Sequence, residues 1–208
     1  MRRRAAAGVL VAIVTIAAAL GSKSLVSSSL TMSSPSTMPS PSSFASPVDR
    51  SRDEQDEALG EAGGAVPDGV TVFDDAIPGV AKLDPALLGA LRQAATDAGD
   101  DGVAFVVDSG WRSPEYQERL LQDAISKYGS EAQAARWVAT PTTSAHVSGH
   151  AVDLGRDSAA WLSEHGAAYG LCQIYGNEPW HYELRSEAVD RGCPPRYSDP
   201  TQDPRTQR

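Results

Sequence analysis

Two short stretches hold most of the residues that could do chemistry. Ser144 to Asp153 reads SAHVSGHAVD, which sets His146 and His150 four apart with an aspartate three residues further on. Asn177-Glu178-Pro179-Trp180-His181-Tyr182 crowds a carboxylate, an indole and an imidazole together. Imidazole and carboxylate are ordinary zinc ligands, and a catalytic zinc keeps three protein ligands and one open position. Four apart is also the spacing that stacks two side chains on one helix face, so a helical His146/His150 pair is one arrangement to weigh. It needs helix through Val147, Ser148 and Gly149, and the preceding Pro141, the threonines, the serines and Gly149 all oppose that. A loop running into a strand at Ala151 is the alternative. Alternate strand residues share a face, so Asp153 then faces with Ala151, while His150 goes with Val152 on the other side. His146 and Asp153 converge on that reading, and His181 supplies a third ligand. Glu178 can then take a proton from water at the open position, since zinc lowers the pKa of that water. Each residue also has a plainer reading: a loop histidine, an aspartate capping a turn, an aromatic turn packed on itself.

The elements that must position these groups are legible at moderate detail. Asp84-Pro85 is an N-cap followed by proline at the first helical position. Leu87, Leu91, Ala94, Ala95 and Ala98 recur at helical spacing, with Gly99 as the stop. Val103 to Val107 reads as a buried strand. Ser113-Pro114 opens a second helix, and Ser130 with Gln133 forms a capping box for a third, short one through Trp137. Ala151 to Leu154 reads as a strand, Ser158 to Ala168 as a helix, and Leu171 to Tyr175 and Trp180 to Leu184 as two further strands. Trp137, Trp161 and Tyr169 read as core residues. Strands and helices mix without strict alternation, so the class is α+β.

The rest of the chain sets the context. Residues 1–21 open with Met-Arg-Arg-Arg and continue as an Ala/Val/Ile/Leu run, the pattern of an export signal or an N-terminal membrane anchor. Residues 22–65 are rich in Ser and Pro and then in charge and Gly, and read as a disordered tether. A folded domain is expected over 66–197, with a polar tail at 198–208. The net charge is −9, and setting aside the three leader arginines leaves −12. Such acidity argues against nucleic acid, because nothing would neutralise phosphates. In an exported chain two cysteines, Cys172 and Cys193, suggest a disulfide.

The two stretches also resemble a known family. Ser144, His146, Gly149, Ala151 and Asp153 resemble the S-x-H-x-x-G-x-A-x-D motif of the zinc D-alanyl-D-alanine carboxypeptidases and dipeptidases of the VanY/VanX type. Glu178 to His181 resembles their E-P-W-H motif, and Ser109-Gly110-Trp111-Arg112-Ser113 with Gln117 resembles their S-G-Y-R-S stretch and its downstream Gln. The motifs fall in the family's order between about Val72 and Leu184. The resemblance implies a small domain whose antiparallel sheet cradles one Zn2+. It implies His146, Asp153 and His181 as ligands, Glu178 as the catalytic base, and Arg112 as oxyanion stabiliser or substrate anchor. Ser144 and Gln117 correspond to substrate-side positions. Trp111 stands where Tyr is commoner, and the aromatic character is kept.

The expectation is therefore an exported monomer, secreted or held at the outer face of the membrane. It would hydrolyse the terminal D-Ala-D-Ala bond of peptidoglycan stem peptides. A D,D-dipeptidase and an endopeptidase cutting L-Ala-D-Glu or a crossbridge fit the same motifs. A zinc-bound module that only binds muropeptides is the reading from another class. Glu178 separates it from the enzymes, because a silent module has no use for the base.

Overall fold

The computed structural model describes residues 60–207. The proposed leader at 1–21 and the tether as far as 59 lie outside the described residues. Among the described residues no helix is long and apolar enough to cross a membrane.

Caps and proline set the helix starts. The short α1 (Pro78–Ala81) precedes α2 (Pro85–Asp100), where Asp84 Oδ1 accepts hydrogen bonds from the Ala86 and Leu87 N–H groups at 2.9 and 3.1 Å. These are two of the donors that a helix start leaves without an internal partner. Leu87, Leu91, Ala94, Ala95 and Ala98 form its buried face. Fully burying a leucine is worth about 1.5–3 kcal/mol, so this face anchors the domain. Ser113 caps α3 (Pro114–Tyr128) in the same way, and Ser130 caps α4 (Glu131–Ala134). The third helix ends short of the expected Trp137. α5 (Arg156–His165) begins ahead of the expected Ser158, with Gly155 at its N-cap, and a 3-10 turn over Gly166–Tyr169 follows it. α6 (Ala188–Arg191) closes the helical set.

Four antiparallel strands form one sheet: β1 (Val107–Ser109), β2 (Ala151–Leu154), β3 (Leu171–Gln173) and β4 (His181–Leu184), in the order β1-β2-β4-β3. Alternation divides the two faces. Val107, Val152, Leu154, Leu171 and Tyr182 join the main core together with α2 and α5, and the Tyr182 hydroxyl donates to the Ala159 carbonyl at 2.8 Å. Asp153, His181 and Glu183 occupy the opposite face, and a register shift between Val107 and Ser109 brings Ser109 opposite Asp153. The observed class is thus α+β with helices packed on one side of an antiparallel sheet.

Two sequence expectations need correction. The strand expected at Val103–Val107 begins only at Val107, and Val106 forms no more than an isolated bridge with Thr71. Val103 and Phe105 are spent on filling the core instead. Folded structure starts before residue 66: Glu61–Gly63 forms a 3-10 turn, the Gly63 carbonyl accepts from the Ser113 N–H at 2.8 Å, and Gly64 at φ +105° lies against the Trp111 carbonyl. The polar tail carries local structure over 198–207. It forms 3-10 turns at Pro200–Gln202 and Pro204–Gln207, and Asp199, Pro200 and Asp203 are buried. Cys172 and Cys193 are joined by a disulfide, which ties the segment after α6 to β3.

Candidate metal centre

His146 lies in the turn-rich loop before β2. Gly149 explains why that loop is not a helix. Its φ is +75°, and a Cβ there would meet the Lys82 carbonyl oxygen at 2.7 Å. That backbone conformation and that close approach suit glycine alone. The turn throws His150 outward, where its side chain is 63% exposed and 3.9 Å from Asp84. It turns His146 inward, where the ring is buried and Nδ1 lies 2.8 Å from the Gly110 carbonyl oxygen. A ring nitrogen facing a carbonyl carries the proton, so Nε2 holds the lone pair.

Asp153 is brought in by the ladder itself, directly opposite His181 across β2 and β4 and opposite Ser109 on β1. His181 Nδ1 is 3.0 Å from Asp153 Oδ1 and 3.3 Å from His146 Nε2, and His146 Nε2 is 3.4 Å from Asp153 Oδ1. Three ligand atoms, one from each residue, lie within 4.8 Å of one another. Two imidazoles and a carboxylate converging this closely form a donor set that suits zinc with a fourth position open.

The remaining atoms of these residues are held from behind. Arg112 donates from Nη2 to Asp153 Oδ2 at 2.9 Å, from Nε to Ser109 Oγ at 2.8 Å and from Nη1 to Gln117 Oε1 at 3.1 Å. Gln117 is buried, and its Nε2 donates to the Ala139 carbonyl at 2.8 Å. The amide expected on the substrate side is therefore engaged at both ends within the protein, and what it visibly does is hold Arg112. Ser144 is buried at the edge of the cavity, with its N–H donated to the Thr140 carbonyl. Trp111, in place of the commoner tyrosine, lies under the Lys82 ammonium at 3.8 Å.

Glu178 precedes His181 of β4 in a tight turn closed by the His181 N–H on the Glu178 carbonyl. Its carboxylate is buried, Oε2 is 3.8 Å from His181 Nδ1, and Oε1 has no hydrogen-bond partner. Burial raises its pKa to about 7, with His181 and Arg112 pulling the other way and Asp153 adding to the rise. An unpartnered buried carboxylate oxygen is costly, and Glu178 bears that cost next to His181. Burial also disfavours charge on Asp153, but His146, His181 and Arg112 outweigh it and hold that carboxyl well below the usual range. Burial keeps the pKa of His146 low. On His181 burial is outweighed by hydrogen bonds with Asp153 and Glu183, which lift the pKa to about 9.

These groups line a cavity of about 230 Å³. One lining residue reads differently from its sequence. Trp137 is 38% exposed rather than core, stacked on Tyr128 at 5.8 Å between ring centroids, and both line the cavity. Pro200 and Thr206 of the C-terminal segment line it too. Glu183 went unnoticed as well, although it sits two residues from His181 on one strand face, a spacing that alternation alone exposes.

Comparison with known proteins agrees with the motifs. The family model described as VanY, D-alanyl-D-alanine carboxypeptidase, matches residues 80–186. A curated D-alanyl-D-alanine carboxypeptidase of Enterococcus faecalis is 32% identical, over 39% of this chain and 40% of its own length. The chain thus spans about two-fifths of that relative. Among solved structures, a vancomycin-resistance D,D-pentapeptidase VanY mutant in complex with Zn(II) is 28% identical, covering 53% of this chain and 75% of that one at a TM-score of 0.48. An L,D-carboxypeptidase, DacB, from Streptococcus pneumonia is also 28% identical, covering 53% and 71% at a TM-score of 0.43.

Proposed function

The chain belongs to the VanY family of D-alanyl-D-alanine carboxypeptidases, and from that premise we propose that it is a zinc peptidase that removes the terminal D-alanine from peptidoglycan stem peptides ending in D-Ala-D-Ala. One observation carries the reading. The ligand atoms of His146, Asp153 and His181 lie within 4.8 Å of one another, and buried Glu178, whose Oε1 has no partner, lines the same cavity.

His146, Asp153 and His181 would hold the zinc, which would polarise a carbonyl and lower the pKa of water. Glu178 takes the proton of the attacking water and passes it to the departing amine, a role suited to a buried carboxylate with one oxygen unpartnered. Arg112 keeps Asp153 ionised and aimed. Its guanidinium has five N–H donors in a fixed fork, and the one left on each terminal nitrogen serves a substrate carboxylate or a developing oxyanion at the cavity. Ser144 contributes a hydroxyl on the substrate side.

The Arg-rich start and apolar run of residues 1–21 support export, which would put the site outside the membrane facing the wall. The family's substrates are there.

The test is a zinc-loaded chain incubated with a muramyl pentapeptide ending in D-Ala-D-Ala, the matching tetrapeptide, and free D-Ala-D-Ala, with products read by mass spectrometry. Loss of one alanine from the pentapeptide, absent in Glu178→Ala, is the expected result. Cleavage of the tetrapeptide alone would make it an L,D-carboxypeptidase, cleavage of the free dipeptide alone a dipeptidase, and an internal cut an endopeptidase. Stoichiometric zinc with no product from any substrate would favour a muropeptide-binding module.

A further inference from the structure

We propose that the C-terminal segment is a working part of the metal centre, with Arg205 acting through Glu183 as a positioning residue for the ligand His181. This rests on the zinc reading of the site. Arg205 and Asp203 lie beyond residues 80–186, the span that matches the family model.

His181 has two ring nitrogens with different tasks. Nδ1 faces Asp153 and His146, and Nε2 faces Glu183 Oε1 at 3.4 Å. A ligating imidazole is oriented, and its tautomer fixed, by what its other nitrogen donates to. Glu183 is that partner. It is buried, two residues along β4 from His181 and on the same face.

A buried carboxylate must be compensated. Arg185 Nη2 reaches Oε2 alone, at 2.7 Å. Arg205 reaches both oxygens, from Nη1 to Oε2 at 2.7 Å and from Nη2 to Oε1 at 3.1 Å. That fork fixes the plane of the carboxylate, which a single contact does not do. Arg205 is fixed in turn. Its Nε donates to both oxygens of fully buried Asp203, at 3.0 and 2.9 Å, and its backbone N–H donates to Oδ1 at 2.9 Å. Asp203 also accepts from the Tyr175 hydroxyl at 3.0 Å, and the Tyr175 ring lies 5.0 Å from that of His181. The contacts therefore close a ring from His181 through Glu183, Arg205, Asp203 and Tyr175 back to His181. Without Arg205, Glu183 keeps one cation but loses the bidentate hold that aims it at Nε2.

The test compares zinc affinity, by competition with a chromogenic chelator, in the full chain and in Arg205→Ala and Arg205→Lys, with the thermal midpoint of each zinc-free protein recorded alongside. Arg92→Ala is the control, since Arg92 pairs with Asp75 away from the site. Arg205→Ala should raise the zinc Kd about tenfold, the low end of the effect of losing a ligand's outer partner. Arg205→Lys should fall in between, because an ammonium does not span both oxygens. Arg92→Ala should leave the Kd unchanged whatever it does to the midpoint. If Arg205→Ala does not fold, Arg205→Lys decides: a weaker Kd at a near-normal midpoint supports the proposal, and an unchanged Kd overturns it. A weakening that Arg92→Ala reproduces at equal loss of midpoint also overturns it. A wild-type chain that takes up no zinc sinks the metal reading and the proposal together. Tight zinc binding by wild type and variants alike sinks the proposal alone.

Discussion

Asp153 and His181 are register partners across the β2–β4 ladder, with Oδ1 and Nδ1 3.0 Å apart. Two of the three proposed ligands are thus placed by backbone pairing rather than by loop packing. A one-residue slip would send Asp153 to the core face and Val152 to the cavity. The third ligand comes from a loop, and Arg112 braces both sources: its side chain holds Asp153, and its backbone N–H donates to the His146 carbonyl at 3.3 Å.

Arg112→Lys should therefore damage the site more than a conserved charge suggests. Lysine cannot reach Ser109, Gln117 and Asp153 at once, so the carboxylate loses its aim and the cavity loses a fixed donor fork. We expect kcat/KM on a D-Ala-D-Ala pentapeptide to fall by about 10²–10³-fold, the scale for losing one preorganised oxyanion donor. Zinc should still bind, more weakly. A variant within threefold of wild type would remove Arg112 from the mechanism.

Glu178→Gln should separate chemistry from assembly. The amide keeps the volume and removes the proton acceptor. Turnover should fall by about 10²–10⁴-fold, with zinc stoichiometry retained. The zinc-free thermal midpoint should not drop, because the carboxylate being replaced is buried with Oε1 unpartnered. Retained turnover would reassign the base.

How far the sequence revealed this site depends on the range over which each group is placed. His146, Asp153, Glu178 and His181 fall in two short stretches where a glycine-bearing turn and strand alternation are readable locally, and both features are present in the fold. Arg205 and Asp203 were not readable. Pairing of Arg205 with Glu183 spans 22 residues, and a Pro-rich polar terminus has the composition of a disordered one. Its order comes from side chains distant in sequence, Glu183 on β4 and Tyr175 after β3. Trp137 misled for a related reason. An aromatic at a helix end suggests core, yet the helix stops at Ala134 and the ring stacks on Tyr128 at the cavity wall instead.

Gly149→Ala probes the turn that separates His146 from His150. A left-handed backbone costs a non-glycine residue about 1–2 kcal/mol, and the added Cβ would meet the Lys82 carbonyl oxygen at 2.7 Å. Backbone on both sides leaves little room to relax. Destabilisation of about 2 kcal/mol or more in urea unfolding is expected, together with weaker zinc binding as His146 is displaced. Wild-type stability would mean that the loop adopts another conformation in solution.

Acid should loosen the C-terminal segment, and the sign follows from its aspartates. Burial would raise Asp203, but its hydrogen bonds with Arg205 and the neighbouring positive charge hold it below the ordinary range. Asp199 is lowered likewise by Thr201 and Arg136. A carboxyl depressed in the folded state contributes stability above its unfolded pKa of about 3.9, and loses that stability as pH falls through the folded value. For the zinc-free chain these two groups should leave the thermal midpoint level between about pH 7 and 5 and lower it below about pH 4. Asp203→Asn isolates one of them, since every other titrating group is common to both proteins. The variant should melt lower than wild type at neutral pH, and the two curves should draw together as pH falls below about 4, where the unfolded wild-type chain takes up the proton that folded Asp203 resists. Curves that stay parallel down to pH 3 would show that the Asp203 carboxylate is not what holds the segment against Glu183.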